Sequence, residues 1–227
     1  MSKLYVVATP IGNLGDISDR ALSTLEQVSL ILAEDTRTTK KLIGLYPNRR
    51  IEAQILRLDD SIQGIRLLNI VDQIAQGVEA ALVSEAGTPQ ISDPGNSLIN
   101  ECIKRNIKVV PIPGPSALAS IISVANFAVQ PVIFYGFLPK KKGRVTTFEK
   151  LSKIAGKYGA SSAVVYESPE RMERTLTDIL EYLGDKEMVI GRELTKKFEE
   201  IWYGKVSEAL AHFKAPKGEF TLLIKLN

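Results

Sequence analysis

Residues 79–103, EAALVSEAGTPQISDPGNSLINECI, hold the decision about the fold. Residues 79–84 are a short apolar run that reads as a strand, and the loop at 85–95 carries two prolines and two glycines that stop regular structure. A helix follows Gly95 and runs through Ile103. Strand, structured loop and helix in that order make half of a βαβ unit. The same alternation extends outward, with strands at 4–8, 30–33, 54–58 and 107–112 and helices from Ser18, over 38–46 and over 62–76. Ser18 offers its hydroxyl as an N-cap, Ala21, Leu22, Leu25 and Val28 follow at three- and four-residue spacing, and Gly77 closes the helix that ends at 76. The first half is therefore predicted to be α/β with largely parallel pairing.

Pro111, Pro113 and Pro115 fall within five residues, where neither a helix nor a central strand continues. The expected domain boundary lies there, giving an N-terminal α/β domain over 1–112 and a C-terminal α/β domain over 113–227. The second half reads as helix 116–124, strand 132–135, a basic loop, helix 146–158, strand 162–166, helix 169–183 with proline in its first turn, and strand 188–191. Strands at 199–203 and 220–226 flank a helix containing His212. Strand following strand predicts a mixed sheet.

The chain has 227 residues, 44% hydrophobic against 24% charged, which excludes disorder. Eleven prolines and 16 glycines exclude collagen-like and linker-like chains. One cysteine, Cys102, cannot form an internal disulfide or a zinc site, and one histidine, His212, removes histidine-based metal and triad chemistry. Cys102 reads as a small buried hydrophobe and His212 as a helix-end residue. The N-terminal apolar run is broken by Pro10, short of the ~20 residues a membrane span needs. A soluble cytoplasmic protein is expected. The net charge of +3 comes from the second half, where Lys140, Lys141, Lys142, Arg144, Lys150, Lys153 and Lys157 face only Glu149. That run fits a solvated face or contact with phosphates.

Three loops after predicted strands are rich in glycine and proline: residues 9–16 (TPIGNLGD), 84–95 (SEAGTPQISDPG) and 113–117 (PGPSA). In an open α/β sheet all three would lie at the carboxyl edge, where ligands bind, although each alone could be a tight connection. Neither G-x-G-x-x-G nor G-K-[ST] occurs, so the common phosphate cradles are absent. Acidic residues in the loops repel an anionic cofactor and tolerate a zwitterionic or cationic one, a sulfonium included.

These loops, with EDTR at 34–37, GFLP at 136–139, ESPER at 167–171 and GRELTK at 191–196, resemble the tetrapyrrole methylase family, the class III S-adenosylmethionine-dependent methyltransferases. The resemblance runs nearly end to end and is weakest after Lys205. It implies a two-domain tetrapyrrole methylase-like fold, mostly parallel N-terminal sheet and mixed C-terminal sheet with flanking helices, commonly a homodimer, with the cofactor in the cleft between domains. Its pocket maps onto Ile11, Gly12, Gly87, Thr88, Pro89, Ile91, Ser116 and Ala117, with Tyr166, Glu193, Leu194 and Glu219 from the second domain. The family usually has aspartate where this chain has Glu85. Relatives that methylate porphyrin-like rings tend to have G-D-P in place of Gly87-Thr88-Pro89, which points away from tetrapyrrole substrates, and the motifs together resemble the branch acting on RNA.

That branch implies 2′-O-methylation of a cytidine in the decoding region of small-subunit ribosomal RNA, as naked RNA or assembled subunit. A ribose hydroxyl needs a base, so Asp93 and Glu85 are the candidate bases, and Lys196 joins them as a catalytic candidate that, like Asp35, Arg37 and Arg192, would act as an orienter or charge partner. Ordinary salt bridges or turn caps explain such residues equally well. Arg37, Lys40, Lys41, Lys140, Lys141, Lys142, Arg144 and Lys197 are the candidate phosphate contacts. Phe137, Tyr135 or Tyr203 could stack on a splayed base, though their apolar neighbours favour core packing, and Trp202 is placed on a sheet face or dimer surface. The alternatives are a methylase of a porphyrinoid small molecule and an RNA-binding assembly factor without turnover.

Overall fold

The structure is a computed structural model that describes residues 2–59, 61–159 and 161–227. It divides into two units, Met1–Ser116 and Ala117–Asn227. In the first unit, strands Lys3–Val7 (β1), Leu30–Ala33 (β2), Gln54–Arg57 (β3), Ala80–Val83 (β4) and Lys108–Ile112 (β5) form a parallel sheet in the order β3-β2-β4-β1-β5. Helices Asp19–Gln27 (α1), Thr36–Gly44 (α2), Ile65–Ala75 (α3) and Asn96–Lys104 (α4) alternate with them. Side chains alternate across the sheet: Leu30, Leu32, Ala80 and Leu82 pack with Val71, Ile74, Leu98 and Cys102, and Ile31, Ala33, Ala81 and Val83 pack with Ala21 and Leu25. Both faces are covered, as parallel sheets require. Val7 pairs with Val83 on one side and Ile112 on the other, so β4, β1 and β5 end level and release their loops at one edge. Cys102 is buried as expected, and burial pushes its thiol up to about 11.

Ser18 caps α1, its hydroxyl accepting from the Ala21 amide at 3.1 Å. The second helix begins at Thr36 and not at 38, because the Asp35 carboxylate accepts from the amides of Arg37 and Thr38. Pro111 lies inside β5 and is tolerated because β5 is an edge strand. The chain divides after Ser116, four residues beyond the expected boundary at 112. The loop at 113–116 stays with the first unit, where the Pro115 carbonyl accepts a hydrogen bond from Thr88.

The second unit opens with helix Ala117–Ser123 (α5). Its sheet contains Val132–Phe137 (β6), Ser162–Glu167 (β7), Glu187–Arg192 (β8), Glu200–Lys205 (β9) and Phe220–Lys225 (β10), in the order β6-β7-β10-β8-β9. Only β6 and β7 pair parallel, so the sheet is mixed. Helices Arg144–Tyr158 (α6), Met172–Leu183 (α7) and Val206–His212 (α8) contribute to one core with Val165, Ile190 and Leu222. Ile121 of α5 packs with Val164, Val189 and Leu223 in the other. The expected helix at 169–183 is a 3₁₀ turn, Pro169–Arg171, followed by α7, with the Arg171 amide bonding the Ser168 carbonyl three residues back. β6 continues past Tyr135 through a bulge at Gly136, whose φ of 73° suits glycine. Among the described residues no helix is long and apolar enough to cross a membrane.

Candidate active site

The three glycine loops of the first unit are bound to one another. Thr9 and Gly87 exchange amide-to-carbonyl hydrogen bonds of 2.9 and 3.0 Å, which fix the loop after β1 against the loop after β4. The buried hydroxyl of Ser84 donates to the Gly87 carbonyl at 2.8 Å, and that of Thr9 to the Ser84 carbonyl at 3.3 Å. Thr88 Oγ1 donates to the Pro115 carbonyl at 3.0 Å and joins the loop after β5. Gly87 has φ +84°, and a Cβ there would stand 3.1 Å from Ile11 Cγ2. A Cβ on Gly114 would stand 2.9 Å from Ala8 Cβ, so glycine is required where these loops meet. Ile11, Gly87 and Thr88 are thereby brought together. Pro89 is buried beside them, Ile91 bonds back to the Thr88 carbonyl, Gly12 is exposed next to Ile11, and Ser116 and Ala117 follow Pro115. Gln90 and Ser92 in the same loop hold left-handed φ values of 69° and 71°, strain of the kind that collects at functional sites.

Asp93 is half-buried at this edge. Burial, reinforced by the negative charges of Glu34 and Glu85, raises its carboxyl to about 6. Folding therefore strengthens proton binding to Asp93, and its contribution to stability declines as pH rises from about 4 through 6. Asp93→Asn is expected to be more stable than the parent by about 1 kcal/mol at pH 8, after allowance for solvent screening, and equally stable near pH 4. Urea titrations at the two pH values check this; an advantage that does not grow with pH contradicts it. Asp35 caps α2, and its bond with the Arg37 guanidinium holds its carboxyl well below the usual range. It is thus an orienter of Arg37, whose own side chain stays exposed. Glu85 is exposed at the start of the loop after β4.

In the second unit, Glu193, Lys196 and Glu219 converge. The Lys196 ammonium donates to Glu193 Oε1 at 3.1 Å and Glu219 Oε2 at 2.8 Å, and the Glu219 amide donates to Glu193 Oε1 at 2.9 Å. A Cβ on Gly218 would stand 2.5 Å from Glu193 Cγ, which explains that glycine. Burial opposes the charge on both Glu193 and Lys196, but the hydrogen bonds outweigh it, lowering the carboxyl and raising the ammonium. Lys196 is held protonated between two carboxylates, an arrangement that suits the charge-partner role expected of it. Arg192 donates to the Lys217 carbonyl and to Glu200. Leu194 is buried against Gly191 and Ile121, and the Tyr166 ring meets Phe134 and Phe137 edge-on.

The basic segment separates into two kinds of residue. Lys40, Lys41, Lys140, Lys141, Lys142 and Lys197 are exposed, as phosphate contacts must be. Arg144 is 3% exposed and corrects that expectation. Its guanidinium is consumed by Asp178, by Thr175 Oγ1 at 2.7 Å and by the Pro139 carbonyl at 3.1 Å. Phe137, Tyr135 and Tyr203 are 55%, 40% and 45% exposed, against the expectation of core packing, because the bulge and the edge positions of β6 and β9 leave them uncovered. Trp202 packs against His212 and Phe213. Sequence reasoning quoted Thr9, Ser84 and Glu167 only as the first residues of their motifs, with no role of their own, and did not mention Thr175. The available signal was a hydroxyl or carboxylate at the end of a largely apolar strand.

Two five-stranded sheets of this topology, the first with three interlocked glycine loops at its carboxyl edge, define a methylase fold. Residues 3–210 match the Tetrapyrrole (Corrin/Porphyrin) Methylases, and the chain belongs to that family. Within it, the chain groups with proteins named Ribosomal RNA small subunit methyltransferase I. That of Thermotoga maritima is 46% identical over 99% of this chain and 98% of its own length. That of Synechocystis sp. is 40% identical over 99% of this chain and 79% of its own, and that of Bacillus subtilis 39% over 99% and 75%. Among solved structures, the methyltransferase CobJ superposes with a TM-score of 0.70 at 14% identity, covering 100% of this chain and 95% of that one. Diphthine synthase gives 0.71 at 11% identity, over 99% and 90%. These two establish the fold alone.

Proposed function

We propose that the protein transfers a methyl group from S-adenosylmethionine to the ribose 2′-hydroxyl of a cytidine in the decoding region of small-subunit ribosomal RNA. The observation that carries this reading is the interlocked edge of the first unit, in a chain similar over nearly its whole length to enzymes named for small-subunit ribosomal RNA. The residues fit the donor: Gly87 and Gly114 let the three loops close on one another beside Ile11 and Ala8, and Glu34, Glu85 and Asp93 favour a cation over a polyphosphate. S-adenosylmethionine supplies, when bound, an electrophilic methyl on a sulfonium. Ile11, Gly12, Gly87, Thr88, Pro89, Ile91, Ser116 and Ala117 hold and orient it, alignment being worth up to ~7–11 kcal/mol. Asp93, with a carboxyl near 6, is poised to accept the ribose proton near neutral pH.

Lys140, Lys141 and Lys142 take RNA phosphates in this reading, with Arg37, Lys40, Lys41 and Lys197. The reading has two further parts, a homodimer, which the family resemblance implies, and a cytoplasmic location. Incubation with labelled donor and small ribosomal subunits or their RNA is expected to label a 2′-oxygen. Label on a base, or on a porphyrinoid ring instead of RNA, overturns it, as does RNA binding without turnover. Changing the three lysines to alanine is expected to flatten the salt dependence of RNA binding by about two to three units of log–log slope. An unchanged slope removes these lysines from the RNA contact.

A further inference from the structure

Three successive backbone carbonyls at the start of the basic loop each receive an arginine. Arg171 Nη2 donates to the Leu138 carbonyl at 2.5 Å, Arg144 Nη1 to that of Pro139 at 3.1 Å, and Arg174 Nη1 to that of Lys140 at 3.3 Å. The guanidinium groups are themselves held from behind. Glu167, with its side chain fully buried, pairs with Arg171 at 3.0 Å and accepts from Thr175 Oγ1 at 2.6 Å, and that hydroxyl accepts in turn from Arg144. Asp178 binds Arg144 and stands 3.9 Å from Arg174. Two carboxylates and a hydroxyl on β7 and α7 thus fix three cations, and the cations fix the loop backbone. None of these groups faces solvent as a phosphate ligand except Arg174, which is 58% exposed. The lysines that follow, Lys140, Lys141 and Lys142, make no side-chain hydrogen bond or ion pair among the described residues and are exposed.

We infer that Glu167, Thr175, Asp178 and the three arginines are positioning residues that hold Lys140, Lys141 and Lys142 as a preset triad for RNA phosphates. The inference rests on the RNA reading proposed above. A loop ordered before binding loses less freedom on binding, so loosening the clamp costs affinity without removing any phosphate contact.

The test measures binding of a small-subunit ribosomal RNA fragment by the full chain. Thr175→Val, which deprives Glu167 and Arg144 of their shared partner, is expected to weaken RNA binding by roughly tenfold, and Arg174→Ala by roughly threefold. Calorimetry with S-adenosylmethionine is expected to give the parent affinity for both. Added to the triple lysine-to-alanine variant, neither change should weaken RNA binding further, because the clamp acts through those lysines. Thr175→Ser should restore the parent value. If Thr175→Val fails to fold, Arg174→Ala carries the test on an exposed side chain. A parent that does not bind the RNA overturns the RNA reading and this inference with it. If the parent binds and the lysine variant is weakened, parent-like binding by Arg174→Ala and Thr175→Val overturns the clamp alone, and so do losses that add in full to the lysine variant.

Discussion

Gly87→Val is expected to lower kcat/KM for methyl transfer by about a hundredfold or more, the scale on which a displacement of about 1 Å at a reacting site is felt. Two effects combine at that position. A φ of +84° is unfavourable for any side chain, by roughly 1–2 kcal/mol, and more for a β-branched one. The added carbon also meets Ile11 at 3.1 Å, so relief of strain moves the loop that the donor would lie against. Gly77 is the natural control, since its φ is +106° but nothing lies within 4 Å of a Cβ there. Gly77→Ala should cost stability and leave turnover intact. Steady-state methyl-transfer kinetics check the first, with circular dichroism to show that the fold survives and calorimetric titration with S-adenosylmethionine to read donor affinity; parent-like kcat/KM and donor binding by Gly87→Val would falsify the assignment of this edge.

Arg144→Ala is expected to destabilise the second unit by about 3–5 kcal/mol, the usual cost of removing one partner from a buried ion pair. The loss is large because the guanidinium serves Asp178, Thr175 and the Pro139 carbonyl at once, and alanine leaves all three without it. Lys140→Ala, four residues earlier and exposed, should fall within about 0.5 kcal/mol of the parent. Urea unfolding midpoints decide between them. Equal, small losses for the two variants would mean that Arg144 is not the buried anchor described above.

That contrast shows where the sequence could be read and where it could not. The first sheet was legible because its strands are four- and five-residue apolar runs separated by helices of amphipathic spacing, and because Ser18, Gly77 and Gly95 punctuate them with known backbone chemistry. The loops at 9–16, 84–95 and 113–117 were legible as a shared edge, since parallel strands deliver their carboxyl ends to one side. Arg144 was misread because a lysine-rich run gives no sign of which cation turns inward; its partners Thr175 and Asp178 lie 31 and 34 residues away. The partners of Lys196 were hidden for a similar reason, its two carboxylates being three and 23 residues distant. The exposure of Phe137 and Tyr135 follows from an edge position and a bulge, which are properties of pairing and not of composition.

The bond between Thr9 and Gly87 joins residues 78 positions apart, and Thr88 is completed by Pro115. During synthesis the first glycine loop leaves the exit tunnel long before its partners exist. It acquires its final shape only once the fourth and fifth strands and Pro115 have been made, so a nascent chain that stalls before residue 115 has no means of assembling the edge proposed to hold the donor, however well its opening helices have formed.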